Sequence, residues 1–347
     1  MMRSIDRASH VCCQPLAIIT LMLAFATVHA DADESSDEST NSDSSVWVTS
    51  IAPLDSDRQF VAGTATSLLL READVVSFSV DSPNEMVKLY SHPAAVWCVA
   101  ATADGKTVAS VDYRGNLMTY DTSSQQAATH TEAFQRWCQA LIVSPDDQFV
   151  VAGNEDGKVM AWNLADNKVE TTVELDGHAV TDLAFSPDGK RIAASDGDGH
   201  VHLLKWPSLD AIGKIEVSEE PAWSVAFIDD GMTLLIGSGD RKLYRCSAKP
   251  DAKPKVATKG RDWITDIAIS PSGQIAASEV GGRVLLPAGG QTESMDATSG
   301  VWALQWNGDG QLLVGTRKHG VSVAGRSWKW TQQSTEADGS ATESDDD

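Results

Sequence analysis

The sequence predicts an all-β fold, a seven-bladed β-propeller of four-stranded antiparallel blades. Two ladders of equivalent residues and one repeated strand–turn pattern carry that prediction. The turn residues Asp104, Asp146, Asp188 and Asp230 stand 42 apart, Ser272 follows 42 further on, and Asp309 lies 37 beyond it. A second ladder runs in step: Val75, Leu117, Val159, Val201, Leu243, Val284 and Val321 are spaced by 42, 42, 42, 42, 41 and 37. A period near forty residues is the length of one four-stranded propeller blade.

The fourth repeat shows the elements most plainly. "VTDLAF" (Val180 to Phe185) alternates as a strand does. "SPDG" then makes a tight turn, with Pro presetting φ and Gly accepting the left-handed conformation. "RIAAS" is a second strand, "DGDG" a second turn, "HVHLLKW" a third strand, and "AIGKI" around Ile212 a fourth. The second strand ends in small residues in repeat after repeat: Ala152-Gly153, Ala194-Ser195, Ile236-Gly237, Ala277-Ser278 and Val314-Gly315. Small residues there let adjacent blades approach closely. The first repeat is the weakest, since its first turn lacks glycine. The ring closes through "SWKWT" (Ser327 to Thr331) as an outer strand of the last blade, or through a segment before Val46.

"SPDG" and "EDGKVMAWNL" (Glu155 to Leu164) make the chain resemble the WD40 repeat family, from about Val46 to Trp330. The family's Trp-Asp pair is represented by Trp162-Asn163 and Tyr120-Asp121, and its Gly-His pair by Gly177-His178. The resemblance implies a buried Asp–His–Ser–Trp network. Most repeats lack its members, so the blade with Asp156 and Trp162 is expected to keep part of it.

The flanks are of another kind. Arg3 and Arg7 precede an apolar run, "LAIITLMLAFATV", of 13 residues, too short to span a bilayer comfortably. "VHA" ends at Ala30 in the pattern of a cleaved secretory signal. Residues 1–30 are therefore read as a signal peptide and the mature protein as exported, periplasmic or extracellular, with no stable membrane insertion. A retained anchor is the alternative. Residues 31–45 and 331–347 each carry six acidic residues and no basic one, too little apolar surface to fold. The domain is thus 46–330, between an acidic linker and an acidic tail. A net charge of -22 argues against nucleic acid and against anionic membrane surfaces. The mature chain keeps Cys98, Cys138 and Cys246, which show no zinc spacing and read as small buried hydrophobes. A monomer is expected.

Six of the 11 tryptophans recur at one place, the start of the innermost strand. Trp97, Trp223 and Trp302 lie four residues before the strand's last residue, Trp137 and Trp263 lie six before it, and Trp47 occupies the matching region of blade one. Blade four has Ala179-Val180-Thr181 instead. In a propeller these positions surround the mouth of the central channel, where WD40 proteins, by the resemblance, commonly hold peptides. Two readings stand: a collar of indoles that anchors a protein or peptide partner, or wedges packed between blades. Arg136 and Arg261 add basic contacts beside Trp137 and Trp263. "DGDGHVH" (Asp196 to His202) places His200 and His202 on one side of a strand near Asp196 and Asp198, but reads more simply as a blade turn than as a metal site. There is no nucleophile elbow, Cys/His dyad or phosphate loop. The expectation is a binding scaffold without cofactor or catalytic centre. The alternatives are a lactonase- or hydrolase-like propeller with a channel metal, and a glycan-binding propeller.

Overall fold

The computed structural model describes residues 46–54, 58–297 and 299–324. The signal segment, both acidic flanks and Ser327–Thr331 lie outside them. The described residues form seven antiparallel sheets, six with four strands and the last with three. Within each sheet the strands lie in chain order. The innermost strands are Trp47–Pro53, Val96–Ala101, Cys138–Val143, Val180–Phe185, Ala222–Ile228, Ile264–Ile269 and Val301–Trp306. Each contacts the next, and the last returns to the first, so the sheets form a ring of seven blades. Val46 joins the two ends of the ring: it bridges His319 in parallel, and Gly320 N donates to its carbonyl at 3.0 Å.

Blades pack face to face, so their middle strands are covered on both sides. That is why second strands such as "TLLIGS" (Thr233–Ser238) and "FVVAGN" (Phe149–Asn154) read as continuous apolar runs. Outer strands face solvent and alternate, as in Lys168–Glu174. The recurring small residues sit at the seams. A Cβ on Gly63 would meet Val96 Cγ1 at 2.8 Å, on Gly153 Val180 Cγ1 at 2.3 Å, and on Gly315 Val48 Cγ1 at 2.7 Å. In each case the first inward residue of the next blade fills the place of the missing side chain. Gly315 and Val48 make the seam between the last blade and the first.

In blades two, three and four the turn after the second strand is capped by a polar residue from the end of that strand. Asp112 Oδ1 accepts Arg114 N and Asn116 N at 2.9 and 3.0 Å, Asn154 Oδ1 accepts Asp156 N and Lys158 N at 3.1 and 3.0 Å, and Asp196 Oδ1 accepts Asp198 N and His200 N at 3.0 and 2.8 Å. The expectation for the buried polar network is corrected here. It forms in blade two, not around Asp156 and Trp162. His92, the last residue of blade one, reaches over so that its Nε2 lies 2.7 Å from Ser110 Oγ and its Nδ1 3.3 Å from Asp112 Oδ2. Tyr90 OH bonds the same Ser110 Oγ at 2.9 Å, and Tyr120 stacks on Tyr90 where the family places Trp. Burial opposes the charge on Asp112, but the His92 ring beside it and hydrogen bonds from Asn116 and Arg114 outweigh it and hold its carboxyl below the usual range. In blade three Asn154 replaces the aspartate, and Trp162 Nε1 is buried without a hydrogen-bond partner. Ser110→Ala is expected to cost about 1 kcal/mol in urea denaturation, since two buried side chains lose one shared partner.

Candidate site at the channel mouth

Every innermost strand carries one extra residue near its start. The pairing skips Thr49, Trp97, Gln139, Thr181, Trp223, Thr265 and Trp302 in blades one to seven. These β-bulges re-aim the side chain they carry, and they explain the two offsets of the tryptophans. In blades two, five and seven the indole is on the bulge residue itself. In blades one, three and six it lies two residues earlier, at Trp47, Trp137 and Trp263. The levels therefore alternate around the ring: bulge in blade seven, early in one, bulge in two, early in three, and again bulge in five, early in six. An odd ring cannot alternate without a break, and the break is blade four, with Ala179 and Thr181 and no indole.

Packing gives the reason for the alternation. Trp97 and Trp302, at the same level two blades apart, already have centroids only 6.0 Å apart. No room remains for a third indole at that level between them, so Trp47 enters from the other level, 6.1 Å from Trp97 and 5.3 Å from Trp302. Trp137 meets Trp97 edge-on at 5.0 Å, and Tyr113 meets Trp137 at 4.9 Å. Trp223 and Trp263 form a separate stacked pair at 5.6 Å. The structure thus places the six indoles at one end of the channel as a group of four and a group of two, with ring contacts inside each group. Trp47, Trp97, Trp137 and Trp223 are buried, while Trp263 and Trp302 are half-buried. The Nε1 atoms of Trp47, Trp137 and Trp223 are buried without a hydrogen-bond partner.

Around the indoles the surface is uneven. The loop between the second and third strands of blade one presents Leu68 and Leu70, 53% and 61% exposed, while Leu69 between them packs on the four-indole group. Arg317 lies with its Cζ 5.4 Å from the Trp47 ring, and burial there lowers its pKa. Arg136 does not face free space: its Nε is 3.3 Å from Glu155 and 3.5 Å from Asp156. Arg261 is exposed, and its backbone N–H donates to Glu279 Oε1.

Below the mouth the channel-facing edge of each inner strand presents backbone groups with no strand beside them. Side chains of the preceding blade satisfy several. Asp182 Oδ2 accepts Val225 N at 2.9 Å, Asp266 Oδ2 accepts Leu304 N at 2.7 Å, and Ser50 Oγ accepts Val99 N at 3.3 Å. Thr49 Oγ1 donates to Val96 O at 2.7 Å, and Cys98 Sγ to Gln139 O at 2.9 Å. Burial pushes Asp182 up to about 7, with the charge of Asp266 acting the same way, and burial pushes Asp266 up to about 6. Sequence reading passed over both aspartates, although each stands where its neighbours have Ser or Ala. Cys98, Cys138 and Cys246 are free thiols, and burial raises all three.

His202 Nε2 lies 2.8 Å from Asp196 Oδ2, and His178 Nε2 lies 3.5 Å from Asp198 Oδ2. Among the described residues no group of three His, Cys, Asp or Glu side chains is arranged to hold a metal ion. Among them, too, no helix is long and apolar enough to cross a membrane.

Seven blades, a closed ring of inner strands and an aromatic channel mouth define a seven-bladed β-propeller. The family model described as WD domain, G-beta repeat matches residues 127–163 and 169–204. The chain is thus a seven-bladed propeller that carries WD40 repeats over those residues. Both matches begin in the outer strand of one blade, Gln126–His130 or Lys168–Glu174, and end in the third strand of the next, Lys158–Asn163 or His200–Lys205. Each sequence repeat is therefore shared between two blades, which ties neighbours together covalently. No curated protein matches the chain.

Proposed function

We propose that this chain is an exported, non-enzymatic scaffold that holds a protein or peptide partner over the tryptophan-lined mouth of its propeller. WD40 propellers commonly serve as protein-interaction scaffolds, which supports the general role. The observation that carries the specific reading is the bulge-set alternation that gathers six indoles at one end of the channel. Trp263 and Trp302 keep part of their surface open, and exposed Leu68 and Leu70 lie beside the larger group. The buried Trp47, Trp97, Trp137 and Trp223 form the floor; the half-open pair and the leucines supply the contacts. Aromatic anchors of this kind carry much of the energy of an interface.

The test is selection of a displayed peptide library on the mature chain, followed by titration of the recovered peptides against Trp302→Ala and Trp263→Ala. Binding about tenfold or more weaker in Trp302→Ala is expected. Equal binding by both variants sinks the reading, and binding of soluble glycans in place of peptides moves the chain to the glycan-binding class. A stoichiometric metal in the purified protein would favour the enzyme class. N-terminal sequencing of the secreted chain, expected to begin near Asp31, tests export.

A further inference from the structure

The protein carries 49 acidic against 27 basic residues, yet one arc of the channel-mouth face inverts that balance. Arg71, Arg114, Lys318 and His319 are exposed there, beside the half-buried Arg317 on Trp47. Their places are fixed by contacts already described. Arg71 lies two residues after Leu69, which packs on the indoles and whose carbonyl accepts Ala95 N at 2.9 Å. Arg114 follows Tyr113, whose ring lies on Trp137. Lys318 N donates to Ser299 Oγ at 3.2 Å, and His319 bridges Val46. Its acidic residues are Glu72 and Asp74, which lie 3.8 and 2.9 Å from Lys88, and the exposed Glu132, whose backbone N–H donates to Asn116 Oδ1 in the turn that bears Arg114. The adjoining arc, on blades three to five, carries Glu155, Asp156, Asp198 and Glu220 at the same end of the channel, with Arg136 paired to the first two.

We propose that the acidic segment Asp31–Ser45 docks on this basic arc and covers the neighbouring indoles, as an occupant built into the chain. Two facts select it over an outside ligand. The segment joins the fold at Val46, which is bonded to the loop that bears Arg317, Lys318 and His319. It carries six carboxylates and no basic residue, so it is attracted to this arc and repelled by the acidic one beside it. Attachment at the edge of its own site gives it an effective concentration on the order of millimolar, which a free acidic peptide must overcome. The exposed pairs are salt-sensitive, since at 0.5 M salt the screening length falls to about 4 Å. The proposal does not require an outside partner and stands apart from the peptide-scaffold reading.

The experiment uses a fluorophore-labelled synthetic peptide of the sequence DADESSDESTNSDSS. It is titrated against the mature chain and against a variant with the six acids of the segment changed to Asn or Gln. The neutralised variant is expected to bind the peptide at least about tenfold more tightly than the unaltered chain, because its site is vacated. Adding Arg71→Glu and Arg114→Glu to the neutralised variant is expected to abolish binding, as is 0.5 M salt. Both arginines are exposed, so circular dichroism should show the fold unchanged. Equal binding by the unaltered and neutralised chains, no binding by either, or binding indifferent to the charge reversal overturns the proposal. Loss of library-selected peptides in Trp302→Ala, with no docking of this segment, would leave the scaffold reading intact and remove only the present inference.

Discussion

Gly237→Ala is expected to destabilise the propeller by about 3 kcal/mol, at the upper end of overpacking costs, seen as a lower urea midpoint with an unchanged slope. A Cβ at Gly237 would lie 2.6 Å from Ser224 Oγ, 2.7 Å from Ile264 O and 2.8 Å from Ile264 Cγ2. The carbonyl belongs to the inner strand of the next blade, so relief demands movement of that strand and of the blade it anchors. Gly237 has no left-handed φ among the residues that do, so the cost is steric and not one of backbone conformation. Gly153 is the informative comparison, because its closest contacts are side-chain atoms of Val180, at 2.3 and 2.6 Å. Gly153→Ala is expected to cost about 2 kcal/mol, and Gly153→Ala with Val180→Ala to recover part of that loss. Rescue at one seam and a larger cost at the other would establish that small and large residues are matched across blades. A cost below about 0.5 kcal/mol for Gly237→Ala would mean the seam has slack that these distances deny.

The same seams show why some of the structure was legible in the sequence and some was not. Blade count and strand order follow from the two residue ladders, because each blade must repeat its turn and its buried runs to pack against identical neighbours. The small residues at the second-strand ends were legible for the same reason. The tryptophans were visible as a recurring place, but their offsets of four and six looked like irregularity. The reason lies in the bulge, which no residue type marks: it is occupied by Trp97, Trp223 and Trp302, but also by Thr49, Gln139, Thr181 and Thr265. The capping residues Asp112, Asn154 and Asp196 keep the 42-residue spacing and were available as a signal. Ser238, Glu279 and Thr316 continue the ladder under other side chains, which hid it. The His92–Ser110–Asp112 group was missed because its histidine belongs to the preceding blade, so no single blade contains the whole network. Ring closure through Val46 and His319 joins residues 273 apart and leaves no local trace.

The double substitution Asp182→Ser and Asp266→Ser is expected to flatten the protein's stability between pH 4 and pH 8. A free aspartate titrates near pH 3.9, whereas Asp182 is pushed up to about 7 and Asp266 to about 6, chiefly by burial. Between the unfolded and folded values the native state holds more protons than the unfolded chain, so stability falls as pH rises. The contribution is fully present below about pH 4 and is lost as pH passes through about 6 for Asp266 and about 7 for Asp182. Both side chains are half-buried along the channel rather than sealed from it, so the shifts translate into stability at a discount. Relative to the unaltered chain, the double variant should gain about 3 kcal/mol on going from pH 4 to pH 8. Serine is the informative replacement because Ser50 already performs the same seam bond, accepting Val99 N at 3.3 Å in blade one. It keeps an acceptor for Val225 N and Leu304 N while removing the charge. Urea denaturation of both proteins across that pH range reads the difference directly. A constant offset with no pH dependence would show that neither carboxylate titrates within the window, and that the channel solvates both as well as water does. The expected result instead makes the two aspartates a standing cost at neutral pH, tolerated because each fastens the exposed edge of the next blade's inner strand.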